Sequence, residues 1–219
     1  MTSIAVLRPE PGNAATAGRV EATGARAIRL PLFAVKALEW APPDPADFDA
    51  LLLTSANAVR FGGAGLDRFR ALPVLAVGAQ TAAAARAAGF DVMASGDSDA
   101  TALIATAWAN GVARALHLGG RERGLEAGGP VARAIAIYAS EALPVASSDL
   151  DALQGAVALL HSVRAAKRLA ELAGPRRSII GLAAFSPAVA AAAGAGWASI
   201  ATAAAPNDAA LIEAALTRD

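Results

Sequence analysis

Leu52-Leu53-Thr54-Ser55 and Leu159-Leu160-His161-Ser162 are two versions of one short phrase, about 107 residues apart. In each, an apolar run ends in a hydroxyl-bearing residue and a helical stretch follows, the pattern of a buried strand opening into a helix. The match continues outward at the same spacing. Ala25-Arg26-Ala27-Ile28 repeats as Ala132-Arg133-Ala134-Ile135, and Gly89-Phe90 as Gly196-Trp197. Asp99–Ile104 resembles Asn207–Ile212 at a spacing of about 109. Each half is too long for a solenoid repeat, so the spacing predicts a duplicated unit. Two similar domains facing each other across a cleft form a common place for a ligand.

The phrase sits in a wider alternation. Strands are predicted at Ile4–Leu7, Ala27–Leu30, Leu51–Thr54, Val74–Val77, Ala115–Leu118, Ala134–Tyr138, Val157–Leu160 and Ile179–Ala183. Most are short and apolar throughout, as strands covered on both faces of a parallel sheet are. Helices are predicted at Ala14–Thr23, Ala56–Arg70, Gln80–Ala88, Thr101–Asn110, Arg164–Ala173, Pro187–Ala193 and Asp208–Leu216. Alternating strands and helices imply α/β layers. Leu32–Trp40 and Tyr138–Pro144 break the alternation at equivalent places in the two halves, as a two-stranded connector would.

Composition narrows the chemistry. The 219 residues have a net charge of zero, 55% hydrophobic and 17% charged residues, which excludes a disordered chain. The missing basic excess argues against a nucleic-acid binder. The chain has no cysteine, and its only histidines are His117 and His161 without an HExxH pattern, so thiolate, iron–sulfur and His-rich metal chemistry lack carriers. Lys36 and Lys167 are the only lysines and alanine is about 29% of the chain, a bias that a GC-rich genome produces. The uncharged run 178–207 is long enough to span a bilayer, but it holds Pro187, Pro206 and several Gly and Ser, and is mostly weakly apolar Ala. No signal-length apolar run precedes Arg8. The expectation is a soluble cytoplasmic protein with no membrane association. There is no GxxxxGK[ST], no GxGxxG and no GxSxG, and Gly119–Gly124 has the wrong spacing for a dinucleotide.

Polar residues gather where strands end. Thr54-Ser55-Ala56-Asn57 and His161-Ser162-Val163-Arg164 each close a strand and open a helix. Such serines cap free backbone N–H groups, and the same N–H groups suit a carboxylate. Arg8 and Arg121 follow strands at the end where open α/β sheets bind ligands. Thr81 opens the helix after Val74–Val77, either as its cap or toward a ligand, and Ser186-Pro187 is the counterpart in the second half. Tyr138, the only tyrosine, stands at the second connector segment, where a phenol can donate a proton. Trp40, Trp108 and Trp197 read as packing residues.

In order and spacing, these motifs resemble uroporphyrinogen-III synthases over nearly the whole chain. The resemblance rests on Val6-Leu7-Arg8-Pro9-Glu10-Pro11, Leu53-Thr54-Ser55-Ala56-Asn57-Ala58-Val59 and Val77-Gly78-Ala79-Gln80-Thr81-Ala82 with Gly89-Phe90. It continues through Leu118-Gly119-Gly120-Arg121-Glu122, Ala136-Ile137-Tyr138, Leu160-His161-Ser162 and Pro206-Asn207 with Leu211-Ile212. It implies two similar three-layer α/β domains with parallel sheets and a cleft between them. One domain comprises residues 1–31 plus 145–219, the other 44–131, with connector strands at 32–43 and 132–144. It implies cyclisation of hydroxymethylbilane to uroporphyrinogen III through an azafulvene and a spiro intermediate, without metal or organic cofactor. It makes Tyr138 the catalytic candidate, with Arg8, Ser55, Asn57, Thr81, Gly120, Arg121, Ser162, Arg164 and Ser186 binding the substrate's carboxylates. It further implies a monomer that receives substrate from hydroxymethylbilane synthase. Ala188 and Val189 depart from the threonines some relatives carry, leaving only backbone N–H contacts there, and Arg60–Gly65 is unusually Gly-rich. The competing reading is a non-catalytic tetrapyrrole or polycarboxylate binding protein.

Overall fold

The structure, a computed structural model, describes residues 1–96, 100–122 and 125–217. Asp99, Arg123 and Gly124, which belong to the sequence motifs above, lie outside the described residues. In chain order the first elements are β1 (Ser3–Val6), α1 (Gly12–Ala22), β2 (Arg26–Arg29), β3 (Phe33–Ala37), β4 (Ala50–Leu53), α2 (Ala56–Phe61) and α3 (Gly63–Asp67). There follow β5 (Val74–Val77), α4 (Ala79–Ala87), β6 (Val92–Gly96), α5 (Ala100–Ala109), β7 (Ala115–Gly120) and β8 (Val131–Ala142). The chain closes with α6 (Ser147–Asp151), β9 (Val157–Leu160), α7 (Val163–Ala173), β10 (Gly181–Ala184), α8 (Pro187–Ala193), β11 (Ser199–Thr202) and α9 (Asp208–Leu216).

Two compact units result. Unit 1 is Met1–Ala34 with Glu141–Asp219, and unit 2 is Val35–Ser140. Unit 1 holds a sheet ordered β11-β10-β9-β1-β2, all of whose pairs are parallel. The other sheet runs β6-β5-β4-β7-β8, again parallel, with β3 beyond β8. Bonds from Leu143 N–H to Leu32 C=O and from Leu38 N–H to Ile137 C=O, each 2.9 Å, flank the β3–β8 pair. Their positions run in opposite senses, so this pair is antiparallel.

The duplication explains the matching orders. At a spacing of about 107 residues, β4, β5 and β6 correspond to β9, β10 and β11. Each sheet is completed by strands from the other half of the sequence: β1 and β2 lie beside β9–β11, and β7 and β8 beside β4–β6.

Strand alternation produces the layers. In unit 1, Ala5, Leu7, Ala158 and Leu160 face a core closed by α7 and α8, through Leu169 and Val189. Ile4, Val6, Val157 and Leu159 face the other side, against Val20 of α1 and Leu211 and Ile212 of α9. In unit 2, Leu51 and Leu53 pack against Ala58, Leu66 and Ala85, whereas Ala50 and Leu52 pack against Leu103 and Ala107 of α5. Each sheet is therefore covered by helices on both faces at its centre, which is why β4, β5, β9 and β10 are apolar at every position.

Three sequence expectations change. The helix expected over residues 56–70 is two short helices, because Gly63 adopts φ +61°, a left-handed conformation that interrupts the turn. Strands β6 and β11 are additions to the expected set; each is the terminal strand of its sheet and only partly covered. Trp108 is 56% exposed rather than packed, whereas Trp40 donates from Nε1 to Gly62 C=O and Trp197 to Ala193 C=O, both at 3.1 Å. Run 178–207 folds as β10, α8 and β11, and no described helix is long and apolar enough to cross a membrane.

Candidate functional site

In each sheet the connections diverge at one point: between β9 and β1 in unit 1, and between β4 and β7 in unit 2. Loops at the carboxyl ends of such strands part to leave a crevice where open α/β sheets bind ligands. The polar residues of both units collect at these ends.

In unit 1 the focus is Asp208, the first residue of α9. Its carboxylate accepts from Thr16 Oγ1 at 2.6 Å, Arg19 Nη1 at 2.7 Å, Arg8 Nη1 at 3.3 Å and His161 Nε2 at 3.2 Å. Arg8 follows β1 and His161 follows β9, so one carboxylate ties together the two strands that flank the divergence. The side chains of Asp208 and His161 are 12% and 9% exposed, whereas Arg8 keeps 36%. Burial alone would raise the Asp208 carboxyl. The hydrogen bond from Thr16 and the neighbouring His161 and Arg8 outweigh it and hold the group below the usual carboxylate range. Burial, joined by the Arg8 charge, holds the His161 imidazole below the usual histidine range against the opposite pull of Asp208. With His161 neutral, two arginines against one carboxylate leave the cluster cationic, with Arg8 its half-exposed edge.

The serines do what their positions dictate. Ser162 Oγ accepts from Ala165 N–H at 3.2 Å and Ser186 Oγ from Val189 N–H at 3.3 Å, capping α7 and α8. A capping hydroxyl uses a lone pair and keeps its O–H proton, so it can still donate to a carboxylate. The Arg164 guanidinium lies 4.3 Å above the Phe33 ring.

In unit 2, Ser55 Oγ caps α2 by accepting from Asn57 N–H at 3.2 Å, and Asn57 Oδ1 accepts from Arg60 at 3.1 Å. Thr81 is not a cap. The α4 N-cap is Gly78, and Thr81, 5% exposed, is enclosed within the unit. Gly120 and Tyr138 are register partners on β7 and β8. A Cβ on Gly120 would fall 2.8 Å from Tyr138 Cε2 and 3.4 Å from its hydroxyl, so only glycine lets this ring lie so close to the backbone. Phe61 sits 6.3 Å from the half-buried Tyr138 ring, and Arg121 N–H donates to Tyr138 C=O at 2.8 Å. The exposed Arg121 side chain stands directly beside the phenol strand.

The structure thus brings Gly120, Arg121 and Tyr138 together in unit 2, and Arg8 with His161 in unit 1. Ser162 and Ser186 stand at the starts of the adjacent helices α7 and α8. Sequence reasoning missed Thr16, Arg19 and Asp208. Asp208 had a signal, since Asn207-Asp208 opens the last repeat match, but its partners lie 192 and 200 positions away. Among the described residues no group of three or more His, Cys, Asp or Glu could hold a metal ion.

Comparison with known proteins follows the same lines. The family profile described as "Uroporphyrinogen-III synthase HemD" matches residues 14–213. No curated protein matches the chain. Among solved structures, the chain is similar to uroporphyrinogen-III synthetase from Helicobacter pylori, with TM-score 0.68, 18% identity and 99% of each chain covered. It is also similar to a mutant uroporphyrinogen III synthase from Thermus thermophilus, with TM-score 0.53, 17% identity and 91% and 92% of the two chains covered.

Proposed function

The chain belongs to the uroporphyrinogen-III synthase family, and from that premise we propose how its own residues serve the reaction. It cyclises the linear tetrapyrrole hydroxymethylbilane to uroporphyrinogen III, inverting ring D and losing water. The pyrrole nitrogen pushes electrons toward the terminal hydroxymethyl carbon, the hydroxyl leaves as water, and an azafulvene forms. The substituted carbon of ring D attacks it to give a spiro intermediate, which fragments and recloses with ring D inverted. The substrate supplies the electron push, so the protein has to fold the chain and favour that attack over direct closure.

Tyr138 is the residue we assign to the departing hydroxyl, donating a proton or hydrogen bond from its phenol. Its seat over Gly120 supports this role, because a ring fixed at the end of β7 presents one face and one hydroxyl. Carboxylates are held by Arg8, Arg121 and Arg164, by the O–H groups of Ser55, Ser162 and Ser186, by Asn57 and by the backbone at Gly120. Thr81 acts from inside, by holding the first turn of α4. Residues 32–43 and 132–144 serve as the connector. We place the protein in the cytoplasm as a monomer supplied by hydroxymethylbilane synthase. A polycarboxylate does not cross a membrane unaided, and hand-over limits spontaneous closure.

The match over residues 14–213 carries this reading. The purified chain, given freshly generated hydroxymethylbilane, is expected to yield uroporphyrinogen III. Accumulation of uroporphyrinogen I alone, the spontaneous product, would refute it.

A further inference from the structure

Unit 1 carries a groove of about 580 Å³ that is separate from the Asp208 cluster. It lies along the solvent face of α7 and is lined by Phe33, Val163, Arg164, Lys167, Arg168 and Glu171, with Ala142 of β8 on its floor. That volume is in the range of small-molecule sites. The opposite face of α7, with Ala165, Ala166, Leu169, Ala170 and Ala173, is buried in the core, so the helix fixes the groove residues in place.

Charge and shape agree on a ligand class. Arg164, Lys167 and Arg168 against Glu171 give the groove a net charge of +2, in a chain whose total is zero. The floor is apolar: Phe33 is 6% exposed, and Val163 leaves 40% of its surface open at the rim. The Arg164 guanidinium lies 4.3 Å over the Phe33 ring, a cation–π contact that fixes where its charge stands on the groove wall. Arg168 Nε is buried without a hydrogen-bond partner among the described residues, although an N–H in that position normally has one. Its ion pair with Glu171 is long, 3.6 Å, and Glu171 is 67% exposed, so an incoming carboxylate can replace it at little cost.

We propose that this groove is a second binding site, for one pyrrole ring of the substrate or product, holding that ring's acetate and propionate through Arg164, Lys167 and Arg168. The proposal rests on the tetrapyrrole reading above. It adds a place where part of a flexible chain is anchored away from the reacting end. Binding of this kind is equal in ground and transition states, so it lowers KM and leaves kcat alone.

The test is titration with uroporphyrin III, the oxidised product, at low and high salt, beside steady-state kinetics with hydroxymethylbilane. A Lys167→Gln/Arg168→Gln double variant is expected to bind uroporphyrin III about tenfold more weakly and to show a similarly raised KM with unchanged kcat. Glu171→Gln, which raises the groove charge to +3, is expected to tighten binding by about two- to threefold, and the gain should fade with added salt. Wild-type affinity and KM in the folded double variant, or no gain in Glu171→Gln, would overturn the site. If wild-type protein makes only uroporphyrinogen I, the catalytic reading fails instead, and the uroporphyrin III affinities still decide the groove.

Discussion

The chain's two histidines both sit beside the divergence points of its two sheets, at positions that do not correspond, and they do different things. In unit 2, His117 of β7 is fully buried, with Nδ1 at 3.1 Å from Leu125 C=O and Nε2 at 3.3 Å from Thr54 Oγ1. A carbonyl only accepts, so Nδ1 carries a proton toward Leu125 C=O. In unit 1, His161 stands at the position equivalent to Thr54 and donates from Nε2 to the Asp208 carboxylate, beside Arg8. One divergence point is closed by a buried hydrogen-bonded bridge, the other by a charged cluster with an arginine at its edge. The duplicated backbone thus supplies two equivalent positions, and the side chains make one of them a buried hydrogen-bonded joint and the other an ion-paired cluster.

Breaking the His117 bridge should cost most. His117→Ala leaves a cavity and two unpaired groups, Thr54 and Leu125 C=O, and is expected to lower stability by about 3 kcal/mol, measured by urea unfolding. Tyr138→Phe should lower kcat about 100-fold, near the low end for a lost proton donor, with the melting temperature unchanged. Unaltered turnover would remove Tyr138 from the reaction. Asp208→Asn keeps the shape but not the charge, and should cost about 2 kcal/mol because Arg8 and Arg19 lose their shared partner. Its kinetic effect should appear in KM, in contrast to that of Tyr138. Gly120→Ala pushes the Tyr138 ring aside and should lower kcat about tenfold with under about 1 kcal/mol of destabilisation. Combined with Tyr138→Phe it should add almost nothing, since both act through one phenol.

Acid should sharpen the contrast with the smallest effect. His161 stays neutral in the folded chain below its ordinary value of 6.5, where the unfolded chain already takes up a proton, so stability falls as pH drops from that value toward the folded one. The Asp208 contribution is complete above its ordinary 3.8 and is lost as pH falls through its lower folded value. Melting temperature should therefore decline in two stages on acidification, and His161→Gln should flatten the first.

The apolar strands were legible because burial on both faces leaves no alternation to misread. Leu51–Leu53 and Val157–Leu160 read as strands from residue type alone. Strands β6 and β11 were not legible: Val92–Gly96 and Ser199–Thr202 lie at corresponding sheet edges, half-covered and rich in Ala and Ser. The capping serines were found because an N-cap is local, its hydroxyl reaching a backbone N–H two or three positions on. The break at Gly62-Gly63 was visible as composition, but only the positive φ of Gly63 shows that it splits the helix.

The sequence by itself determined the α/β class, the duplication, the two-strand interruption and the helix caps. All of these depend on residues within a few positions of each other or on self-similarity at one spacing. Only the tertiary structure decided that β1 pairs with β9 and β4 with β7, that Asp208 gathers Arg8, Thr16, Arg19 and His161, and that Gly120 lies under Tyr138. Those contacts join positions that are 18 to 200 residues apart. No local propensity encodes such a pairing. It is settled when packing both faces of each sheet brings the strand ends together, and the charges there must then find partners away from water.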